Sequence, residues 1–246
     1  MRGSSLQEAV AALEGGRAAV FPTETVYGLG VSVAAVEGPD VLFELKGRPR
    51  TKPIAWLVGS ASDLEVYGRD VPAYARALAD AFWPGPLTLI VRASDAVPPA
   101  FCSEVGTIGL RMPDSADALA LVRTLGSPLA TTSANLAGAP APASAAELDP
   151  ALTERVGAVV LGSEPARVGV ASTVLDCTGA RPLFVREGSV TSADVDAVLA
   201  ALASAPPASG WKNASAPDGP SASIVSASDG VPASIASASA GVSGTR

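Results

Sequence analysis

The sequence predicts an α/β fold in which a twisted, mixed sheet is flanked by helices. Short apolar runs typical of buried strands alternate along residues 1–203 with segments of helical period, which is the pattern of an α/β domain. The chain has 246 residues, of which 48% are hydrophobic, so it can bury one full core. No apolar run reaches the roughly 18 residues of a membrane span, and the N-terminus lacks the apolar core of a signal peptide, so we expect a cytoplasmic protein.

Capping residues and glycine or proline stops mark the helices. Ser5 caps a first helix that Gly15 ends, and Pro72 opens a later helix that residues 83–86 end. The predicted helices cover residues 6–14, 40–46, 72–82, 116–125 and 192–203, and residues 143–155 hold one more. The predicted strands cover residues 18–21, 26–33, 54–58, 87–91, 107–111, 128–132, 158–161, 172–176 and 183–186. The order of these strands in the sheet cannot be read from the pattern.

Residues 204–246 differ in composition from the rest of the chain. Ser, Ala, Pro and Gly make up 31 of these 43 residues, and residues 222–230 are nearly repeated as 233–241. Such a segment has too few large apolar side chains to offset the entropy cost of ordering it. We therefore expect one folded domain over residues 1–203 and a disordered tail over residues 204–246.

The composition excludes several kinds of site. Histidine is absent, which rules out His-based acid/base catalysis, Ser-His-Asp triads and His-ligated zinc. Cys102 and Cys177 are isolated and lack metal-binding spacing, so we expect two free thiols. The net charge of −7 argues against a surface that coats nucleic acid. Neither a P-loop motif nor a dinucleotide-binding glycine motif is present.

Four cations lie close together in the chain, at Lys46, Arg48, Arg50 and Lys52. The dipole of the predicted helix favours a cation at its C-terminal end, which accounts for Lys46 but not for the other three. Because these charges repel each other, they belong either to a solvated surface or to the binding site of a polyanion such as a nucleotide triphosphate. Arginine offers phosphate a rigid fork of donors, and lysine offers a mobile point charge. We expect an anion site here.

Polar side chains also stand at the ends of predicted strands, where ligands are often contacted. Thr23 and Thr25 follow the first strand, and a threonine-rich turn with local hydrogen bonds is the alternative interpretation. Arg111 ends an apolar strand. It faces either a substrate carboxylate or an internal partner such as Asp114 or Asp117.

Two later parts of the chain repeat this arrangement. Ser133 and Asn135 follow the strand at 128–132 and can hydrogen-bond a base, a ribose or a phosphate, although both residue types also build ordinary turns. Ser172 and Arg186 stand at the edges of two further apolar strands. We expect the cationic segment and the Ser133–Asn135 loop to converge in one electropositive hollow.

Taken together, these segments resemble the YrdC family of L-threonylcarbamoyladenylate synthases, in its bacterial single-domain type. Seven blocks occur in the family's order and cover nearly all of residues 5–200, and the family's K-x-R and S-x-N signatures are both present. The matching blocks are residues 22–30, 46–49, 83–89, 107–113, 133–135, 172–176 and 186–188. The resemblance implies a YrdC-like single domain whose mixed sheet and flanking helices form a concave basic cleft.

The resemblance also implies a nucleotidyltransferase. Family members join L-threonine, bicarbonate and ATP: the amine and bicarbonate give a carbamate, which attacks the α-phosphorus to form threonylcarbamoyl-AMP and pyrophosphate. A tRNA threonylcarbamoyl transferase machinery then modifies an adenosine beside the anticodon, and a tRNA contact of the enzyme itself is part of the expectation. Mg²⁺ is expected to be carried by ATP, without protein ligands. Such a reaction needs positioning and charge neutralisation more than a strong base, so the absence of histidine is no obstacle.

The family's site residues carry over to matching positions of this sequence. Lys46 and Arg48 are expected to be catalytic and to face the triphosphate. The expected ATP-binding residues are Arg48, Lys52, Thr107, Ser133, Asn135, Ala141 and Arg186. The expected L-threonine-binding residues are Thr25, Arg111, Thr131 and Ser172, with Arg111 on the carboxylate. The chain departs from the family's pattern at Lys52 and at Leu57, where many relatives carry an asparagine and a threonine-contacting histidine.

Two other functions remain open at this point. A carbamoyltransferase of the same fold would form carbamoyl-adenylate, but such proteins attach this unit to further catalytic domains. A non-catalytic RNA-binding module is disfavoured by the net acidity and by an aromatic content of only 4%, because RNA-binding modules commonly stack bases on aromatic rings.

Overall fold

The computed structural model describes residues 3–49, 54–162, 166 and 168–204. Every described residue belongs to one compact unit within Met1–Gly210. Of the predicted tail only Ser204, the last residue of the final helix, is among the described residues. Arg50 and Lys52 of the cationic segment also lie outside them. Within the described ranges, no helix is both long enough and apolar enough to cross a membrane.

The described helices occupy most of the predicted positions. The first begins as expected, because Ser5 Oγ accepts the backbone N–H of Glu8 at 3.2 Å and the Glu8 carboxylate accepts the backbone N–H of Ser5 at 2.7 Å. The helices are α1 (Leu6–Glu14), α2 (Asp40–Lys46), α3 (Asp63–Tyr67), α4 (Ala73–Phe82), α5 (Ala116–Leu125), α6 (Pro150–Thr153) and α7 (Ser192–Ser204).

The helix predicted within residues 143–155 is present as the single turn α6, and a 3₁₀ turn over Ala145–Glu147 precedes it. Pro150 cannot donate a backbone hydrogen bond to a preceding turn, so it starts a helix instead of continuing one. Asp149 caps this new start by accepting the backbone N–H of Ala151 at 2.8 Å.

The strands form one mixed sheet, which confirms the predicted α/β class. They are β1 (Ala19–Phe21), β2 (Gly28–Ser32), β3 (Ala55–Leu57), β4 (Gly68–Arg69), β5 (Leu87–Ala93), β6 (Thr107–Arg111), β7 (Leu129–Ser133), β8 (Ala158–Val159), β9 (Thr173–Asp176) and β10 (Leu183–Arg186). Their order is β10-β9-β5-β6-β3-β7-β2-β1-β8, and β4 pairs with β5. Because several paired strands, such as β5 with β9 and β3 with β7, are distant in the chain, strand ends that are far apart in sequence meet in space.

One face of the sheet is fully packed. Trp56, Leu110, Leu89 and Leu175 lie in register across β3, β6, β5 and β9, and each is at most 1% exposed. They belong to one apolar cluster that also contains residues of α2, α3 and α4. Burial of this row is part of the apolar contribution to stability on this side of the molecule.

Among the described helices, α1 and α5 cover one end of the opposite face. Leu57 and Leu129 point to this face and pack with Leu13 of α1 and Leu121 of α5 in a second apolar cluster. Leu57, which departs from the family's pattern, is 3% exposed and therefore serves this packing.

The remainder of this face carries small side chains. Gly30, Thr131, Ala55 and Gly109 lie in register across β2, β7, β3 and β6. Three of them, Thr131, Ala55 and Gly109, are only half-buried although their strands lie in the middle of the sheet. We call this row of four residues the open face.

Candidate functional site

Lys46 and the loop after β7 meet beside the open face. Lys46 is the last residue of α2 and is 3% exposed. Its ammonium donates to the backbone oxygen of Ser133, to the backbone oxygen of Asn135 at 2.6 Å and to Asn135 Oδ1 at 3.1 Å. Gly47 ends the helix in the left-handed conformation at φ 61°, which suits a residue without a side chain. The predicted contact between the K-x-R and S-x-N segments is therefore present.

The loop that Lys46 holds is closed by its own hydrogen bonds as well. Ser133 Oγ donates to Asn135 Oδ1, and Asn135 Nδ2 donates to the backbone oxygens of Ala139 at 2.7 Å and Leu136 at 2.9 Å. The Lys46 ammonium has three N–H groups, and the loop supplies three acceptor oxygens for them. Its position is that of a residue that shapes the loop.

The environment of Lys46 disfavours its charged form. Burial, and after it repulsion by the Arg48 guanidinium, lowers the pKa of the Lys46 ammonium to about 8. The neutral oxygens around Lys46 therefore do not fully compensate for its lost hydration. An anion bound nearby would favour the charged form.

Arg48 lies against the same strand end. Its Nη1 donates to Thr132 Oγ1 at 3.0 Å, and its Cζ lies 5.6 Å from the centre of the Phe43 ring. Burial lowers the pKa of the Arg48 guanidinium. We call Lys46, Arg48, Ser133 and Asn135 the loop cluster.

A second polar cluster surrounds Arg111 at the end of β6. Arg111 and Glu24 are 7% and 5% exposed, and Arg111 Nη2 donates to Glu24 Oε1 at 2.7 Å and to Thr25 Oγ1 at 2.9 Å. Arg111 Nε donates to the backbone oxygen of Gly85 at 3.2 Å. Nη1 makes no hydrogen bond to any described residue, so this edge of the guanidinium can receive a ligand. The internal partner of Arg111 is Glu24, which corrects the expectation of Asp114 or Asp117.

Arg186 extends this cluster. Its Nε donates to the backbone oxygen of Ser172 at 2.9 Å and its Nη2 donates to Ser172 Oγ at 3.1 Å, and that hydroxyl also shares a hydrogen bond of 2.9 Å with Thr88 Oγ1. Burial, and after it repulsion by Arg111, lowers the pKa of the Arg186 guanidinium. The repulsion means that the two guanidinium groups lie near each other, which suits an anion between them. We call Glu24, Thr25, Arg111, Ser172 and Arg186 the arginine cluster.

The other predicted site residues belong to neither the loop cluster nor the arginine cluster. Thr131 lies on the open face, with its hydroxyl donating to the backbone oxygen of Leu129 at 2.9 Å. Thr107 begins β6, at the opposite end of that strand from Arg111, and its hydroxyl shares a 2.7 Å hydrogen bond with Ser103 Oγ. Ala141 is half-buried in the loop after β7. Lys52 lies outside the described residues.

Three contributing residues escaped the sequence prediction. Glu24 stands between two threonines that were singled out, and an acidic residue at the end of a buried strand was the available signal. Thr88 and Thr132 are ordinary strand residues in the sequence, and only the sheet register brings them to Ser172 and Arg48.

The described residues offer no obvious protein-ligated metal site. In the ranges that the structure covers, no three His, Cys, Asp or Glu side chains are grouped so that they could hold an ion. That Mg²⁺ is carried by ATP remains a prediction. Cys102 and Cys177 are free thiols, as predicted.

Comparison with known proteins gives the family and its relatives. The chain matches the model of the Sua5/YciO/YrdC family, described as "Telomere recombination", over residues 11–188. The threonylcarbamoyl-AMP synthase of Bacillus subtilis (strain 168) is 38% identical over 195 residues, which are 79% of this chain and 56% of that protein. The chain thus spans little more than half the length of this curated relative.

Two solved structures share the fold. Pyrococcus abyssi Sua5 complexed with L-threonine superposes with a TM-score of 0.72 at 34% identity, covering 79% of this chain and 57% of that chain. Escherichia coli YciO superposes with a TM-score of 0.67 at 27% identity, covering 74% of this chain and 88% of that chain. The family match extends over more than half of the chain and agrees with both superpositions, and the chain therefore belongs to the Sua5/YciO/YrdC family.

Proposed function

We propose that this chain is an L-threonylcarbamoyladenylate synthase. It forms threonylcarbamoyl-AMP and pyrophosphate from L-threonine, bicarbonate and ATP. The name of the Bacillus subtilis relative and the threonine bound to Pyrococcus abyssi Sua5 support this choice.

One observation carries the proposal: two cationic clusters stand at different ends of the same sheet face, with the half-buried residues of the open face between them. Gly109 on β6 and Thr131 on β7 lie at the same level of the sheet, and the two strands run in opposite directions. Arg111, two residues after Gly109, and Ser133, two residues after Thr131, therefore lie toward opposite ends of the sheet. Strand spacing and rise place these two ends roughly 16 Å apart. An extended acyl-adenylate has about this length, and the small side chains between the ends leave its path clear.

The arginine cluster suits the amino acid. The open Nη1 edge of Arg111 donates to the substrate carboxylate, and Glu24 fixes the guanidinium from behind through its 2.7 Å ion pair. Thr25, Thr131 and Ser172 line the amino-acid site.

The loop cluster suits the polyphosphate. Arg48, Ser133 and Asn135 supply donors to ATP, with Lys52, Thr107, Ala141 and Arg186 as further contacts. Lys46 acts on ATP through the shape of the loop and through its positive charge. Mg²⁺, carried by ATP oxygens and water, neutralises phosphate charge when it is bound.

The chemistry then requires placement more than proton transfer. A threonine carbamate held at the arginine cluster presents its oxygen to the α-phosphorus, a P–O bond forms, and the bond to the leaving pyrophosphate breaks. Arg186, beside Arg111, stabilises the charge that develops between the two substrates. We further propose that the product is consumed by a tRNA threonylcarbamoyl transferase machinery in the cytoplasm, and that the enzyme contacts tRNA.

Pyrophosphate release tests the function. The protein is incubated with ATP, Mg²⁺ and bicarbonate, with or without L-threonine, and the expected result is release that depends on threonine. Release that needs carbamoyl phosphate and not threonine would indicate a carbamoyltransferase. RNA binding without any release would indicate a non-catalytic module.

A further inference from the structure

Thr107 lies in a basic pocket at the end of β6 that is opposite to Arg111. Arg69 on β4 pairs in register with Arg92 on β5, and Arg92 pairs in register with Thr107 on β6. Directly paired residues point to the same face of a sheet, so two guanidinium groups and a hydroxyl line up across three neighbouring strands. With Val105, Gly106 and Thr178 they line a cavity of about 270 Å³.

The charges in this pocket are poorly compensated by the protein. Like charges directly opposite each other on paired strands are destabilising. Arg69 Nη1 lies 3.8 Å from the carboxylate of Asp95, which is fully exposed, and such an ion pair is weak in water. Arg92 is exposed, and its guanidinium makes no hydrogen bond or ion pair with any residue that the structure describes. The Asp176 carboxylate accepts hydrogen bonds from Thr178.

The pocket belongs to the same side of the sheet as the open face. Residues alternate between the two faces along β6, so Thr107, Gly109 and Arg111 share one face. On the same face of β5, side-chain exposure rises toward the end that pairs with Thr107. Thr88 is buried, Ile90 is half-buried and Arg92 is exposed. A ligand that crosses the open face can therefore reach the pocket without passing behind a helix.

We propose that Arg69, Arg92 and Thr107 form an additional binding site for a phosphate group. Two guanidinium forks and a hydroxyl offer a tetrahedral oxyanion several donors, and the neutralised charge relieves the repulsion between the arginines. Two sources present this group: the polyphosphate of a nucleotide or of released pyrophosphate, and the backbone of an RNA strand. The nucleotide source rests on the proposed function, and the RNA source does not.

Binding measurements on matched variants test the site. Arg92→Gln and Arg69→Gln remove one charge each at exposed positions, and Arg92→Lys restores the charge without the fork. Arg123→Gln is the control, because Arg123 is an exposed arginine that donates to the Gly59 backbone oxygen at 3.3 Å near the opposite end of the strands. The probes are pyrophosphate and ATP by calorimetry, and a labelled RNA hairpin by fluorescence anisotropy at several salt concentrations.

Each outcome decides the proposal. We expect Arg92→Gln and Arg69→Gln to weaken at least one probe roughly tenfold, with partial recovery in Arg92→Lys and no change in Arg123→Gln. Weaker pyrophosphate and ATP binding identifies the nucleotide source. Weaker RNA binding with a salt slope reduced by roughly 0.7–0.9 identifies the RNA source. Unchanged binding of all probes, or an equal loss in Arg123→Gln, overturns the site, whereas the wild-type threonine-dependent pyrophosphate release tests the proposed function separately.

Discussion

The ammonium of Lys46 donates to the backbone oxygen of Asn135 at 2.6 Å, across 89 positions of sequence. This contact ties the end of helix α2 to the loop that follows β7. It gives the K-x-R and S-x-N segments one shape before any substrate arrives. Lys46 thereby acts as a positioning residue for the donors of Ser133 and Asn135.

Lys46→Met is expected to loosen this loop in the absence of ATP. The change leaves two backbone oxygens and one amide oxygen without their charged donor. Hydrogen exchange should accelerate about tenfold or more at the Ala137 amide, which donates to the Lys46 backbone oxygen at 2.9 Å. Arg48→Gln serves as the matched control and should leave this exchange unchanged. Equal exchange in wild type and Lys46→Met would mean that Lys46 does not shape the loop.

ATP affinity should fall as the pH rises through about 8. The pKa of Lys46 is lowered to about 8, first by burial and then by Arg48, so the ammonium is present below that pH and lost above it. The expected measurement is the dissociation constant of ATP between pH 7 and 9.5. In Lys46→Met the affinity should be lower and nearly independent of pH over this range. A wild-type affinity that stays constant up to pH 9.5 would contradict this role of the charge.

Glu24 and Arg111 should be strongly coupled in stability. Glu24→Gln leaves the buried Arg111 charge without its partner, which costs about 3–5 kcal/mol of unfolding free energy in comparable cases. The double variant Glu24→Gln/Arg111→Met removes both charges and should lose clearly less than the sum of the single variants. Urea unfolding of the four proteins measures the cycle. Strict additivity would show that the ion pair contributes nothing to the fold.

Gly109→Ala should separate ligand binding from folding. A methyl group at Gly109 would lie 3.4 Å from Thr88 Cγ2 and 3.6 Å from Ala55 Cβ, which are ordinary contacts. Its free energy of unfolding should stay within about 1 kcal/mol of wild type. Turnover should nevertheless fall at least about tenfold, because the methyl group projects from the open face into the path of the substrates.

Gly28→Ala provides the contrast. Its methyl group would lie 2.9 Å from Phe21 Cε2, and this overpacking should reduce stability by about 1–3 kcal/mol. If Gly109→Ala kept full activity, the substrates would not cross the open face at Gly109.

The sequence predicted those features that depend on local rules. The cap at Ser5 and the bounds of α2 follow from side-chain chemistry and period, and both are present. Residues 143–155 were predicted to hold a helix without its bounds, and Pro150 sets the start of α6 because its missing N–H is tolerated only in the first turn.

The pairing of site residues depended on tertiary structure. The ion pair of Arg111 with Glu24 joins residues 87 positions apart, and nothing in local spacing selects Glu24 over nearer carboxylates. The row of Arg69, Arg92 and Thr107 depends on β4, a strand of two residues that is too short to show an alternating pattern.

Product analysis tests the central claim most directly. The protein is incubated with ATP, Mg²⁺, L-threonine and ¹³C-bicarbonate, and the products are analysed by mass spectrometry. We expect an adduct that contains AMP, threonine and one labelled carbon, formed in step with pyrophosphate. Pyrophosphate without this adduct, or an adduct that lacks the label, would contradict the assignment of this chain as a threonylcarbamoyladenylate synthase.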